Sequence, residues 1–113
     1  QFKMIKQGDI FFANLNPTKG HEQSGMRPVI VLQNSILNKH LNTVIIAPIT
    51  GNLQAKNFML TFFLPKGISK LPKDSVALLF QMRCIDKARL QKKCGKIPEA
   101  SLGKMKRKLS RLF

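Results

Sequence analysis

Residues 8–34 read GDIFFANLNPTKGHEQSGMRPVIVLQN. Two apolar runs flank a polar connector. GDIFFANL (8–15) opens on a Gly-Asp turn signal and reads as a strand, which Asn16-Pro17 ends. PVIVLQ (28–33) is a continuous apolar, β-branched run and reads as a central strand. Between them, GHEQSGMRP (20–28) gathers His21, Glu22 and Arg27, with Gly at 20 and 25. A loop over 16–26 is long for a link between consecutive strands. Polar loops carried on rigid sheets are where function concentrates.

Outward from this stretch the pattern stays mostly β. NSILNKHLN (34–42) holds one helical turn with Asn34 or Ser35 as its cap. TVIIAPIT (43–50) reads as a third strand, with Pro48 predicting an edge or a bulge. NFMLTFFL (57–64) reads as a fourth strand, PKGISKLPKD (65–74) as a loop, and SVALLFQMRCI (75–85) as a fifth strand, long and bent. The period then changes. Leu102, Met105, Leu109 and Leu112 recur at three- and four-residue steps, one face of a helix. Pro98 suits its first turn, and Lys104, Lys106, Arg107, Lys108 and Arg111 occupy the other faces. The fold class is mainly β with a C-terminal helix: a small, strongly curved sheet or partly open barrel over about 6–95, covered by a helix over about 98–112.

The 113 residues suit a single domain, and hydrophobic residues at 43% suit a packed core. Met4 reads as the native start, with residues 1–3 as a non-native leader. No apolar run reaches the ~18 residues of a membrane span and no signal-peptide core opens the chain, so the expectation is a soluble, cytoplasmic protein. Cys84 and Cys94 fit no zinc spacing. They read as two reduced thiols, with a disulfide as the alternative. Twenty Lys and Arg against five Asp and Glu give a formal charge of +15. A field of that sign attracts polyanions, nucleic acid first, an acidic protein second and an anionic membrane third.

The order Gly-Asp, Asn-Pro, Gly-His-Glu-Gln, Gly and Arg-Pro over residues 8–34 resembles the opening of the MazF/PemK-like toxins of bacterial toxin–antitoxin systems. APIT (47–50) and QMRCIDKARL (81–90) extend the resemblance, which runs from about Lys6 to Leu112. The resemblance implies an SH3-like β-barrel with a C-terminal helix, assembled as a homodimer. It implies a metal-independent endoribonuclease, needing no cofactor, that cuts single-stranded mRNA at short preferred sequences and is inhibited by a cognate acidic antitoxin covering the RNA groove.

Metal-free RNA cleavage uses the substrate's own 2′-hydroxyl, which attacks the adjacent phosphorus as the 5′-oxygen leaves. It needs a proton acceptor, a proton donor and stabilisation of the phosphorane charge. Arg27 matches a principal catalytic residue of the family. Its planar fork grips two phosphate oxygens, while its pKa above ~12 makes it a poor base. The alternative for Arg27 is a structural pair with Glu22. Thr50 matches an active-site Thr or Ser of the family; without the resemblance it reads as an ordinary turn residue. His21 titrates near neutrality and suits proton transfer, against the alternative of a surface histidine. Glu22 is a candidate base, or a residue that orients Arg27 or ties down the loop.

Gln81 and Arg83 share one face of the fifth strand by alternation and are candidates for a base edge or a phosphate. The alternative for Arg83 is an ion pair with Asp86. Lys19, Gln23, Ser24 and Lys56 on the loops are further RNA-binding candidates; Lys66, Lys70 and Lys73 decorate other loop positions. Some relatives carry a carboxylate just before the glutamine matching Gln81; here that position is Phe80. Tyr and Trp are absent, so stacking falls to Phe or Arg faces, yet Phe11, Phe12, Phe58, Phe62, Phe63 and Phe80 sit in strand-like runs and read as core. Three alternatives stay open: a barrel toxin that poisons DNA gyrase, a plain nucleic-acid-binding domain, and a membrane-surface role for the C-terminal helix.

Overall fold

A computed structural model describes residues 4–16, 20 and 25–113. His21, Glu22, Gln23, Ser24 and Lys19 lie outside the described residues. Among the described residues there are seven strands: β1 (Asp9–Asn14), β2 (Met26–Val31), β3 (Thr43–Thr50), β4 (Phe62–Leu64), β5 (Ser75–Ala77), β6 (Arg83–Asp86) and β7 (Leu90–Lys96). Three helices accompany them: α1 (Ser35–His40), α2 (Lys66–Ser69) and α3 (Glu99–Ser110). The antiparallel sheet runs β4-β5-β3-β2-β1-β7, with β6 beside the first half of β3.

Strand β2 is central, as its unbroken apolar run predicts. Its residues feed two cores: Ile30 faces one, while Val29 and Val31 face the other. The first core gathers Ile10, Ala47, Ile49 and Leu79 under α3, whose Met105 is fully buried and whose Leu102 and Leu109 pack alongside. Leu112 is exposed, so the predicted leucine face ends at Leu109. The second core joins Phe11, Ala13, Val44 and Ile46 to Leu15, Ile85 and Leu90. α1 is capped by Asn34, whose side chain accepts the Leu37 N–H at 2.9 Å.

Strand β3 is not an edge. It pairs with β2 on one side and, on the other, first with β6 over 43–46 and then with β5 over 49–50. Pro48 stands where that second side changes partner, the place in a central strand where a missing N–H costs least. The sheet closes on itself without strand pairing. α2, directly after the edge strand β4, packs on β7 at the far edge, and the Ser69 carbonyl lies against Gly95. A Cβ built on Gly95 would stand 2.2 Å from that oxygen, so the close approach requires glycine.

Two predicted strands are broken. Of residues 57–64 only Phe62–Leu64 is strand. A 3-10 turn (Leu53–Asn57) precedes it, and Leu60 takes a left-handed φ of 57° that no β ladder accommodates. Residues 75–85 divide into β5 and β6 around a 3-10 turn at Leu79–Gln81. The loop predicted over 65–74 contains α2.

Candidate nucleic-acid interface

Arg27 lies on β2, opposite Ala13 of β1. The β2–β3 register sets Val29 against Pro48, Ile30 against Ala47 and Val31 against Ile46. Carried on by two residues, it puts Arg27 opposite Thr50, and opposed antiparallel residues share a face. The half-buried Arg27 guanidinium donates from Nη1 to the Ile49 carbonyl at 3.3 Å. This bond holds the fork at the end of β3 in a fixed pose.

Thr50 ends β3 and is part-exposed. Its Oγ1 accepts the Asn52 N–H at 3.2 Å. A hydroxyl that accepts in this way keeps its own proton for donation. Asn52 in turn caps the following 3-10 turn through Gln54 N at 3.1 Å, so Thr50-Gly51-Asn52 forms a tied corner. Against Gly51 lies the Lys73 side chain, whose Nζ is 2.8 Å from where a Cβ would sit. The bare backbone at 51 thus admits the end of the Lys73 side chain against this corner.

From Thr50 an open groove of about 800 Å³ runs past Phe58, Met59 and Phe80 to Gln81. Thr50 and Gln81, distant in sequence, therefore share one cleft. Arg83 is not a groove-lining residue. With Gln81 in a 3-10 turn and Arg83 opening β6, strand alternation does not relate them. Arg83 Nη1 donates to the Leu15 carbonyl at 3.3 Å. Asp86, the partner in the alternative reading of Arg83, caps Ala88 N at 2.8 Å. Lys56 sits on the 3-10 turn with its Nζ 4.9 Å above the Phe63 ring.

Phenylalanine placement departs from expectation. Phe11 and Phe62 are buried, but Phe12, Phe58, Phe63 and Phe80 are exposed. The broken strands explain Phe58 and Phe80, which lie in or beside the turns at 53–57 and 79–81; Phe12 and Phe63 stay in strands and alternate outward. Phe58 and Phe80 meet edge to face, centroids 6.1 Å apart, and form an aromatic wall of the groove. An apolar ring thus occupies the position where some relatives have a carboxylate.

The stem of the 16–26 loop is tied at several points. Asn16 Oδ1 accepts Gly25 N at 3.0 Å, and Leu15 N donates to the Gly25 carbonyl at 3.0 Å. Arg89, which the sequence did not single out, donates from Nη1 to the carbonyls of Asn14 and Asn16 at 3.3 and 2.6 Å. Contacts to backbone carbonyls leave no sequence signature, so no motif could have found it. Two arginines, 83 and 89, thereby fix where the loop leaves the sheet.

Few anions temper the surface. Asp9 is buried, paired to Lys93 at 3.2 Å and accepting Lys6 N at 2.9 Å. Asp74 accepts Lys66 N at 3.1 Å, and Asp86 caps the turn after β6. Three of the four described carboxylates are thus committed to backbone N–H groups. Both cysteines are free thiols. Cys84 is exposed, and burial pushes the thiol of half-buried Cys94 upward. Among the described residues, no helix is long and apolar enough to cross a membrane.

Comparison with known proteins matches this architecture. Endoribonuclease MazF of Staphylococcus saprophyticus is 44% identical over 90 residues, covering 80% of this chain and 75% of the relative. The crystal structure of MazF from Deinococcus radiodurans superposes with a TM-score of 0.79 at 27% identity, covering 96% of each chain. The MazE–MazF complex from the same organism gives a TM-score of 0.75 at 25% identity, covering 99% of this chain and 96% of that one. A MazF-fold protein is thus seen bound to MazE. Residues 6–113 match the family described as the PemK-like, MazF-like toxins of type II toxin–antitoxin systems, and the chain belongs to that family.

Proposed function

We propose that this chain is the toxin endoribonuclease of a type II toxin–antitoxin pair, cleaving single-stranded RNA without a metal ion. The observation that carries the reading is the Arg27 guanidinium, held to the Ile49 carbonyl one residue before Thr50, which lines one end of an open groove.

In this mechanism the RNA lies along the groove with its scissile phosphate at Arg27 and Thr50. Its 2′-oxygen attacks phosphorus, a P–O bond to the 5′-oxygen breaks, and the products are a 2′,3′-cyclic phosphate and a 5′-hydroxyl. Arg27 stabilises the charge that builds on the non-bridging oxygens, and the Thr50 proton is a second donor to them. Phe80 carries no proton to exchange. Acceptance of the 2′-proton therefore falls to the loop, with His21 taking it and returning it through solvent to the departing 5′-oxygen, and Glu22 as the residue that orients His21. Lys73 beside Gly51 adds a compact cation for a neighbouring phosphate. Phe58 and Phe80 offer faces on which flanking bases stack, and Gln81 offers an amide to a base edge.

The same reading places the enzyme in the cytoplasm, as a homodimer restrained by an acidic antitoxin. Exposed Leu53, Phe58 and Met59 support a second copy or partner seated beside the groove. The charge of +15 supports both an RNA substrate and an acidic inhibitor.

The deciding assay is incubation of purified protein with a long single-stranded RNA in EDTA. The reading predicts discrete cuts whose upstream fragments end in 2′,3′-cyclic phosphate. RNA left intact but bound in a salt-sensitive manner would make the protein a binding module instead.

A further inference from the structure

Lys56 is not a lining residue of the groove that begins at Thr50, although Ala55 and Asn57 on either side of it are. Its ammonium lies over Phe63 instead, 4.9 Å from the ring centre. Phe63 belongs to a second groove, of about 550 Å³, between α3 and the β4–α2 segment. The stretch 58–63 divides the two. Phe58 and Met59 line the first groove, Phe63 lines the second, and the chain turns between them at left-handed Leu60. Lys56 thus stands where one groove gives way to the other.

The α3 wall of the second groove is Lys104, Arg107, Lys108 and Arg111, and no carboxylate lines it among the described residues. Lys108 has a structural use. It donates to the Thr61 carbonyl at 2.8 Å and so fixes α3 against the dividing stretch. Lys104, Arg107 and Arg111 are exposed and enter no ion pair among the described residues. Like charges four apart on a helix, as at 104/108 and 107/111, oppose each other, so this stripe does not help α3 to form.

We propose that single-stranded RNA leaving the Thr50 groove crosses at Lys56 and continues along α3, with its flanking phosphates held by Lys104, Arg107 and Arg111. Resting on the RNA reading above, this adds a second stretch of substrate contact outside the cleavage centre. The helical rise sets the three cations about 4.5 and 6 Å apart along the axis, a ladder that successive phosphates of one strand can follow. Two of the three are arginines, whose planar fork takes two phosphate oxygens at once. Opposite them, Pro65 and exposed Phe63 and Ile68 give the bases an apolar wall. Continuity through Lys56 is what favours RNA over an acidic protein here. Contacts of this kind go to the backbone, so the track adds affinity for long RNA without reading sequence.

The test uses the full chain and fluorescein-labelled 2′-O-methyl oligouridylates, which lack the attacking hydroxyl, at lengths of about 8 and about 24 nucleotides, below and beyond the reach of one groove. Anisotropy reads binding, so the proposal is decided even if the chain cuts nothing. Lys104→Ala/Arg107→Ala/Arg111→Ala empties the track, and alanine keeps the helix, which circular dichroism checks. Lys6→Ala/Lys39→Ala/Lys92→Ala removes the same charge at exposed positions outside both grooves. In the track variant the long oligomer should bind at least about tenfold more weakly, and its slope of log K against log salt should shrink by about 2, as for three lost phosphate contacts. The short oligomer should change less than about threefold, as should both oligomers with the control variant, where only the long-range field is altered. Equal loss for short and long oligomers, equal loss in both variants, or a wild type that gains no affinity with length would overturn the proposal. So would polyglutamate binding that falls in the track variant while binding of the long oligomer does not.

Discussion

Arg27 reaches from β2 to the last turn of β3 and donates to the carbonyl of Ile49 at 3.3 Å, one residue before Thr50. The guanidinium is thereby restrained before any substrate arrives. Restraint matters because electrostatic stabilisation of a developing charge acts only if the donor is already aimed.

The loop that carries His21 and Glu22 leaves the sheet at a stem held by Arg89. Arg89→Ala removes both carbonyl contacts, at Asn14 and Asn16. Arg89 is a positioning residue, so the cleavage rate should fall about 10- to 100-fold as the loop loses its aim. RNA affinity should change little, and stability by about 1 kcal/mol, the worth of an ordinary hydrogen bond. Single-turnover kinetics beside urea melts separate the two. An unchanged rate would show that the stem needs no such anchor.

Sheet closure rests on Gly95. Gly95→Ala drives a methyl into the Ser69 carbonyl, a backbone atom that cannot swing aside. The overlap should lower stability by roughly 2–3 kcal/mol, within the range for overpacked sites. The urea midpoint reports it. Gly51→Ala is the contrast: it meets only the flexible end of Lys73 and should leave the midpoint nearly unchanged.

How much of this was readable from residues alone depended on period. β2, β3 and α1 were legible because β-branched runs and an Asn cap carry their own signals, and α3 because Leu102, Met105 and Leu109 recur at helical steps. The breaks at Leu60 and at Leu79–Gln81 were not legible. An apolar run looks the same whether it is extended or turned, and tertiary contacts decide. That ambiguity also misplaced Phe58 and Phe80 in the core, whereas Phe63 kept its strand and faces out by alternation. β7 is largely polar and exposed over its middle, and showed only once β1 provided its partner. Arg27 and Thr50 were named from a resemblance, while their register relationship needed the sheet.

Phe80 and Phe58 should act on binding rather than on chemistry. Phe80→Ala removes one face of the aromatic wall. RNA affinity should drop by about 1–3 kcal/mol, the scale of one base–aromatic stack, with the single-turnover rate at saturating RNA preserved. A loss of rate at unchanged affinity would place Phe80 in the chemistry.

The two thiols should separate by reactivity. Cys84 is exposed, whereas burial raises the Cys94 pKa and depletes its thiolate at neutral pH. Iodoacetamide near pH 7.5 should therefore alkylate Cys84 first, with Cys94 slower by roughly an order of magnitude, catching up as pH rises. Peptide mapping by mass spectrometry reads both rates. Equal rates at neutral pH would contradict the burial of Cys94.

The most direct measurement is single-turnover cleavage of a mapped RNA site by Arg27→Ala beside the wild type, in EDTA, with circular dichroism and RNA affinity recorded on the same preparations. The account predicts a rate lowered by about 100- to 1,000-fold, the cost of losing one preorganised charge donor, while the fold remains and affinity falls far less. A variant that keeps its fold and cuts at the wild-type rate would contradict it.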